Sequence, residues 1–561
     1  MTSGRLPWRF GGEPEREAGI GAPLPCGGGS VRVYCVGPAT AQASGGEPMV
    51  TGRRKRIFST NRRIRLGIWG LGRGLSFFKA CHDLNIDVVA GCDFNEHMRR
   101  RFAELVPDAF VTDRAEDFLK HDMDAVLVST YCPAHAGDAI AALQAGKHVL
   151  SEVTAFHTMA EGVRLIEAVE RSGLVYNMTE NYPWNPNHAW CARKWQEGLF
   201  GDFMYAECNY VHNCRSLVYT YIDGVPIVPG DRLHNWRSWL NFHYYCTHSL
   251  GPVMVVTGTR PTRVVSLPSP VHLAGYPQQG PDGMGGIAPS LITMDNGGIV
   301  RNLMGSTTND SYAYRLWGTR GAVEIDWRMG GMFLRLGGGG ESPRIRIEPK
   351  GDELAELARS MGHGGGDFYV LYFFARQILT GEPAFFDVYR SADCTIPGIL
   401  AYRSSVEGGR PYDVPDFRKK AERDRWRHDA HAQPHLDPDK SVFPRGADPR
   451  LTHRFNSIMK DLIRYAELCR AWLDWSAVAD VATDLAPIVA VGDKLIAEYP
   501  QVVKTLRSAR ELADAYPRSL GARLLNEMLE LAGEEAVLAA GFLRSVRSQS
   551  RRLTRIGATP R

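Results

Sequence analysis

The apolar positions of the chain fall into three successive patterns. Between residues 64 and 150, short apolar runs at 64–69, 88–92, 125–130 and 148–150 alternate with helical stretches at 75–84, 97–104 and 136–145. Runs of this kind with helices between them predict a parallel sheet covered on both faces. From 204 to 336 the strands lengthen and alternate polar with apolar, as in Val264-Val-Ser-Leu267 and Val323-Glu-Ile-Asp-Trp327. That alternation predicts a second, mainly antiparallel sheet with helices on one face. Apolar helices are expected at 367–379 and 389–405, packing back on the body. Beyond residue 448, helical periodicity at 451–475, 477–498, 502–516, 520–532 and 534–548 predicts a bundle, with Pro500 and Pro517 as breaks.

The first strand runs into three glycines, Ile64-Arg-Leu-Gly-Ile-Trp-Gly-Leu-Gly-Arg-Gly74. Gly70, Gly72 and Gly74 permit a tight turn and a close approach of backbone to an anion, and the following helix aims free N–H groups at it. Gly70, Leu71, Gly72, Arg73 and Gly74 are therefore the expected pyrophosphate cradle. Asp93 ends the next apolar run about twenty residues on, where a carboxylate accepts both ribose hydroxyl protons. A 2′-phosphate would meet its negative charge, which selects NAD over NADP. The third motif glycine is displaced, with Leu75 at its usual place.

Composition narrows the class. The 561 residues are 44% hydrophobic with a net charge of +4, which gives no sign of nucleic acid or a membrane surface as the main ligand. Eleven cysteines are scattered without a CxxC pair, a pattern of reduced thiols rather than disulfides or zinc. No apolar run approaches the length of roughly 18 residues needed for a membrane span. Gly52-Arg-Arg-Lys-Arg-Ile-Phe58 has the look of a twin-arginine export signal, but no apolar region follows it, so a cytoplasmic protein is expected. The organisation read from these patterns is a disordered N-terminal segment (1–60), a dinucleotide-binding domain (61–183), an α+β substrate domain (184–415), a charged linker (416–448) and a helical bundle (449–561).

Over roughly residues 62–416 the chain resembles the Gfo/Idh/MocA oxidoreductases. Supporting segments are Ser129-Thr-Tyr-Cys-Pro-Ala-His135 and Ala145-Gly-Lys-His-Val-Leu-Ser-Glu152. Most members continue the second as Glu-Lys-Pro, with the lysine aiding acid/base chemistry; here it reads Glu152-Val-Thr154, so that lysine is missing. Glu-Val is similar to the variant in glycoside hydrolase family 109, the NAD-dependent redox glycosidases. Glu180-Asn-Tyr182 is similar to that family's Glu-Asn-Tyr, and Tyr210-Val-His-Asn-Cys-Arg215 to its Tyr-Ile-His-Asp-Leu-Arg. Tyr245-Cys-Thr-His-Ser-Leu-Gly-Pro252 is similar to its Tyr-Pro-Thr-His-Gly-Leu-Gly-Pro, and Gly362-His-Gly-Gly-Gly-Asp-Phe368 to its Gly-His-Gly-Gly-Met-Asp-Phe. Residues 216–229 match no family segment, and Trp184 and Asn185 stand where other residues are usual.

The resemblance implies an α/β chain: an N-terminal Rossmann domain, an open antiparallel-sheet substrate domain and, here, an added C-terminal bundle. It implies NAD as cofactor, held also by Thr130, Tyr131, His135, Glu152 and Asn181. It carries His248 and Tyr182 onto catalytic positions and Tyr245 onto a substrate-facing one, with Tyr312 or Tyr314 as a further phenol. The imidazole of His248 suits proton transfer near neutrality; Tyr182 would serve if a nearby cation or the oxidised nicotinamide lowered its pKa. His212, Arg215 and Arg237 either bind the substrate or pair at surfaces and between domains. His363 and Asp367 are expected to be structural, with no metal. The implied function is a redox glycosidase acting on a sugar or glycoside. The alternatives are a sugar or cyclitol dehydrogenase and a non-catalytic sugar- and NAD-binding regulator. A homo-oligomer follows by family analogy.

Overall fold

The computed structural model describes residues 56–561 apart from 221–234, 270, 272, 279–285, 308–310, 327–330, 338–340, 435–441, 445–446, 449 and 558–561. The expected disorder of the N-terminal segment lies, up to residue 55, outside the described residues. Its last residues belong to the fold, since Phe58 is buried and stacks on Tyr372 with ring centroids 5.7 Å apart.

The first sheet contains β1 (Ile64–Trp69), β2 (Ile86–Cys92), β3 (Phe110–Thr112), β4 (Ala125–Val128), β5 (His148–Ser151) and β6 (Tyr176–Met178), in the order β3-β2-β1-β4-β5-β6. Every pairing is parallel, as expected of strands whose side chains are buried on both faces. The chain winds outward from β1 in one direction and from β4 in the other, which opens a crevice at their carboxyl ends. The helix expected at 75–84 begins at Leu71 and runs to Leu84 as short α and 3₁₀ turns. The glycine turn feeds it directly, so no loop separates strand from helix.

The second sheet has nine strands: β7 (Phe203–Val211), β8 (Pro261–Ser266), β9 (Ile287–Met294), β10 (Ile299–Gly305), β11 (Ala313–Gly318), β12 (Gly321–Asp326), β13 (Gly331–Leu336), β14 (Ile345–Ile347) and β15 (Tyr412–Asp413). Their order is β14-β13-β12-β11-β7-β10-β9-β8-β15, antiparallel except for the β7–β10 pair. Helix Thr247–Thr257 is buried over nearly its whole length between this sheet and helix Val388–Val406. Helix Gly366–Thr380 instead joins the first domain's core, with Phe368, Leu371 and Phe374 among Leu71, Phe77 and Leu84.

Two expectations change. Residues 416–434 are a strap pinned to the body rather than a linker. Arg423 forms a two-pronged pair with Glu170 at 2.7 and 2.8 Å, Arg418 does the same with Asp393 at 3.1 and 2.8 Å, and Gln433 accepts the Asn241 N–H at 2.6 Å. The charges that read as solvated are consumed in fork-on-carboxylate geometry. In the bundle, Pro500 does not break the chain, because one helix runs from Ala486 to Ala515. Pro500 faces solvent, so the freed carbonyl can bond water, while Leu495, Val502 and Leu506 stay buried on the other face.

Burial pushes two imidazoles down, His188 to about 4 and His243 to about 3. The unfolded chain takes up these protons near pH 6.5, where the folded chain refuses them. Stability conferred by these residues is therefore complete above about pH 6.5 and is lost as the pH falls toward those values. The melting temperature is expected to drop on acidification through this window, and a His243→Gln variant should show a shallower drop in the same calorimetric series.

Candidate active site

The glycine turn has a conformation that excludes other residues. Gly70 has φ 94°, and a Cβ there would lie 2.3 Å from the Ser129 carbonyl oxygen. Gly74 lies equally close to β1 and the end of β4, since its Cβ would meet the Ile68 and Ser129 side chains at 2.5 Å. Leu71 and Gly74 are thus buried packing positions and do not line the cleft, contrary to expectation; the close fit of helix on strand requires this. Leu71 donates its N–H to Asp93 Oδ2 at 2.7 Å, and Asn95 N–H reaches Oδ1 at 2.8 Å. Burial pushes the Asp93 carboxyl up, and these two bonds oppose it.

A cleft of about 470 Å³ begins at this turn, where Gly70, Gly72, Arg73, Asp93 and Thr130 line it. The first-turn N–H groups of Gly72 and Arg73 have no acceptor within a helix. With a turn that only glycine can make and a carboxylate across from it, these residues fit a dinucleotide: Gly72 and Arg73 would hold the phosphates and Asp93 the ribose. Tyr131, His135, Glu152 and Asn181 also line it, beside Val153 at the position of the missing lysine.

The Arg73 side chain has other partners. Its guanidinium grips Asp367 at 2.7 and 2.9 Å and Glu152 at 2.9 Å. Asp367 also accepts from Asn181 at 2.7 Å and from His363 Nδ1 at 3.0 Å. Burial works against the charge on Asp367, but Arg73 and His363 hold its carboxyl well below the usual range. Asp367 is therefore a clamp between the glycine turn and helix Gly366–Thr380, and no cluster of metal-ligand type occurs among the described residues.

From the second domain, helix Thr247–Thr257 presents His248 at its first turn, and His248 lines the same cleft. His248 Nδ1 lies 3.0 Å from both oxygens of Glu180, whose side chain is 0% exposed. Gly251 permits this approach, for a Cβ there would lie 2.7 Å from Glu180 Cγ. Donation of Nδ1–H to the carboxylate fixes the tautomer and leaves the Nε2 lone pair as the base. Around the imidazole stand the rings of Tyr182, Tyr210 and Tyr245, with centroids at 4.5, 4.9 and 4.9 Å.

Of the residues expected here, His248, Tyr245, His212 and Arg237 line the cleft. Arg237 lies over the Trp236 ring at 4.0 Å. Tyr182 lies behind His248 and does not line the cleft. Burial, and then the neighbouring Tyr312, Tyr314 and Tyr245 phenols, push its phenol well above 10, whereas a base would need it lowered. Tyr314 is fully buried against the His188 ring and donates to the His248 backbone carbonyl at 2.7 Å; Tyr312 hydroxyl instead meets cleft-lining His212 Nδ1 at 2.8 Å. Arg215 faces away and pairs with Glu467 of the bundle at 2.5 Å. Glu180 escaped the sequence reading, although it stands in the quoted Glu-Asn-Tyr segment as a carboxylate just beyond an apolar strand.

The family model described as "Oxidoreductase family, NAD-binding Rossmann fold" matches residues 64–180, and that of the "Glycosyl hydrolase 109, C-terminal domain" matches residues 350–426. A glycosyl hydrolase family 109 protein of Saccharopolyspora erythraea is 28% identical over 417 residues, covering 66% of this chain and 85% of that protein. An alpha-N-acetylgalactosaminidase of Tannerella forsythia is 28% identical over 393 residues, covering 61% and 82%. A levoglucosan dehydrogenase solved with NADH and levoglucosan shares the fold, with TM-score 0.52 and 17% identity over 63% of this chain and 100% of that one. Residues 64–180 thus carry the NAD-binding Rossmann domain of the Gfo/Idh/MocA oxidoreductases, and the protein is an NAD-dependent enzyme. Within that class it resembles the glycosyl hydrolase family 109 branch.

Proposed function

We propose that the protein is a redox glycosidase acting on a glycoside, with an N-acetylated hexose as the first sugar to try, given the relatives' names. The observation that carries this reading is that His248, paired with Glu180, lines the same cleft as the glycine turn that fits a dinucleotide. Bound NAD supplies a hydride acceptor that later returns the hydride. His248 Nε2 would take the hydroxyl proton as the sugar is oxidised and return it on re-reduction; the ketone acidifies the neighbouring C–H, whose proton would pass through Tyr245 to the departing anomeric oxygen. Tyr245, whose phenol burial keeps protonated, lies beside the imidazole to donate to the leaving oxygen. Arg237 and His212 bind sugar hydroxyls or a charged substituent. Water then adds and the hydride returns, so the net change is hydrolysis. Absence of the lysine at Val153 weighs against an ordinary dehydrogenase.

The described cysteines are all buried and unpaired, which supports a cytoplasmic setting. Exposed Met204, Leu291, Ile299 and Leu336 on the nine-stranded sheet support association of two copies through it. The function is tested by mass spectrometry for retained NAD, followed by a panel of 4-nitrophenyl glycosides that includes the N-acetyl-α-galactosaminide. Aglycone release without NADH accumulation is the expected result; NADH accumulation from free sugars would instead establish a dehydrogenase, and no reaction at all a binding protein.

A further inference from the structure

Beyond the imidazole, Leu217 and Thr220 form part of the cleft wall. They belong to the segment 212–220, whose only regular structure is the 3₁₀ turn Ser216–Val218. One bundle helix holds this segment from behind directly, and a second does so through residues 274–277. From helix Arg450–Ala477, Glu467 Oε1 accepts from Asn213 Nδ2 at 2.8 Å and from Arg215 Nη1 at 2.5 Å, and Phe455 meets Tyr219 edge-on with centroids 5.7 Å apart. Arg215 is 1% exposed and also donates Nε to the Ala274 carbonyl at 2.8 Å. From helix Leu520–Ala532, Glu527 accepts the Gly275 N–H at 2.8 Å and Arg523 donates to the Pro277 carbonyl at 2.6 Å. Tyr219 hydroxyl closes the circuit by donating to the Gly275 carbonyl at 2.5 Å.

We infer that the C-terminal bundle is part of the substrate apparatus, with Glu467 a positioning residue that sets the Leu217–Thr220 wall through Arg215 and Asn213. The bundle lies outside both matched family domains, so this wall is set by a part of the chain those models do not describe. Most of the segment's own bonds are local turns, such as Leu217 N–H to the Cys214 carbonyl and Tyr219 and Thr220 N–H to the Ser216 carbonyl, and these set its shape more than its place against the body. One carboxylate oxygen receiving a buried guanidinium and an amide supplies the missing constraint, and its loss leaves Arg215 buried without a counter-charge. The inference rests on the glycosidase reading for what the wall contacts, but not for what holds it.

The test compares Glu467→Ala and Glu467→Gln with wild type in the full-length, NAD-loaded protein. Hydrogen exchange of residues 212–220 should quicken about tenfold or more in the alanine variant. KM for 4-nitrophenyl N-acetyl-α-galactosaminide should rise about tenfold with kcat within about twofold. Glutamine, which keeps the acceptor oxygen, should recover most of both. Unchanged exchange in the alanine variant, or kcat falling with KM constant, would overturn the inference. If wild type cleaves no glycoside, the glycosidase reading has failed, and the exchange measurement alone decides whether Glu467 holds the wall.

Discussion

Replacing His248 by Ala is expected to lower glycoside turnover by about 10²–10⁴, the range typical of a lost general base, while the purified protein still carries NAD. The two effects separate because His248 comes from the second domain and is not part of the glycine turn that fits the dinucleotide. Alanine leaves the buried Glu180 without the His248 hydrogen bond, which costs about 1–3 kcal/mol or more for a charged group, so unfolding must be followed alongside activity. Glu180→Gln isolates the chemistry more cleanly. The amide preserves shape but can donate to Nδ1, which places the proton on Nε2 and removes the base; a carboxylate-to-amide change beside a triad histidine costs as much as about 10⁴ in kcat. Both variants should retain NAD by mass spectrometry. Turnover within threefold of wild type in either would remove His248 from its assigned role.

The second large effect is expected from Gly70→Ala. The backbone at φ 94° is costly for alanine, and the added carbon would lie 2.3 Å from the Ser129 carbonyl oxygen just beyond β4, a backbone atom that cannot swing aside. Forcing a non-glycine residue into such a conformation costs about 1–3 kcal/mol before any clash is counted. The turn must shift, and with it the Gly72 and Arg73 N–H groups. Retained NAD should fall at least about tenfold, equivalent to about 1.4 kcal/mol of binding, with little change in circular dichroism. Gly137→Ala is the control. That glycine lies within helix His135–Gln144 with open space where the methyl would go, so the change should be neutral or stabilising by about 0.5–1 kcal/mol. Full NAD retention in Gly70→Ala would show that the turn is not the cradle.

The parts of the molecule legible in advance were those that local pattern dictates. Parallel strands buried on both faces, an apolar run ending in Asp93 and helices of regular apolar period declare themselves along the chain. The strap 416–434 did not, because charge on an unpaired chain looks solvated until Glu170 and Asp393 arrive from elsewhere in the sequence. The uninterrupted helix through Pro500 was hidden for a related reason: whether a proline breaks a helix depends on what packs against its neighbours.

What the sequence by itself determined is the cofactor part of this protein's site. Turn geometry and a carboxylate at fixed spacing are local properties, since a glycine's freedom and a strand's terminus depend on neighbours in the chain. The catalytic part was decided by tertiary structure alone. Only folding brings Glu180 under His248, buries Tyr182 and Tyr314 instead of placing them beside the cleft, and turns Arg215 toward Glu467 rather than toward a substrate. Partners separated by 68 or 252 residues leave no periodic trace, and their charges and protonation acquire meaning only when burial removes the water around them.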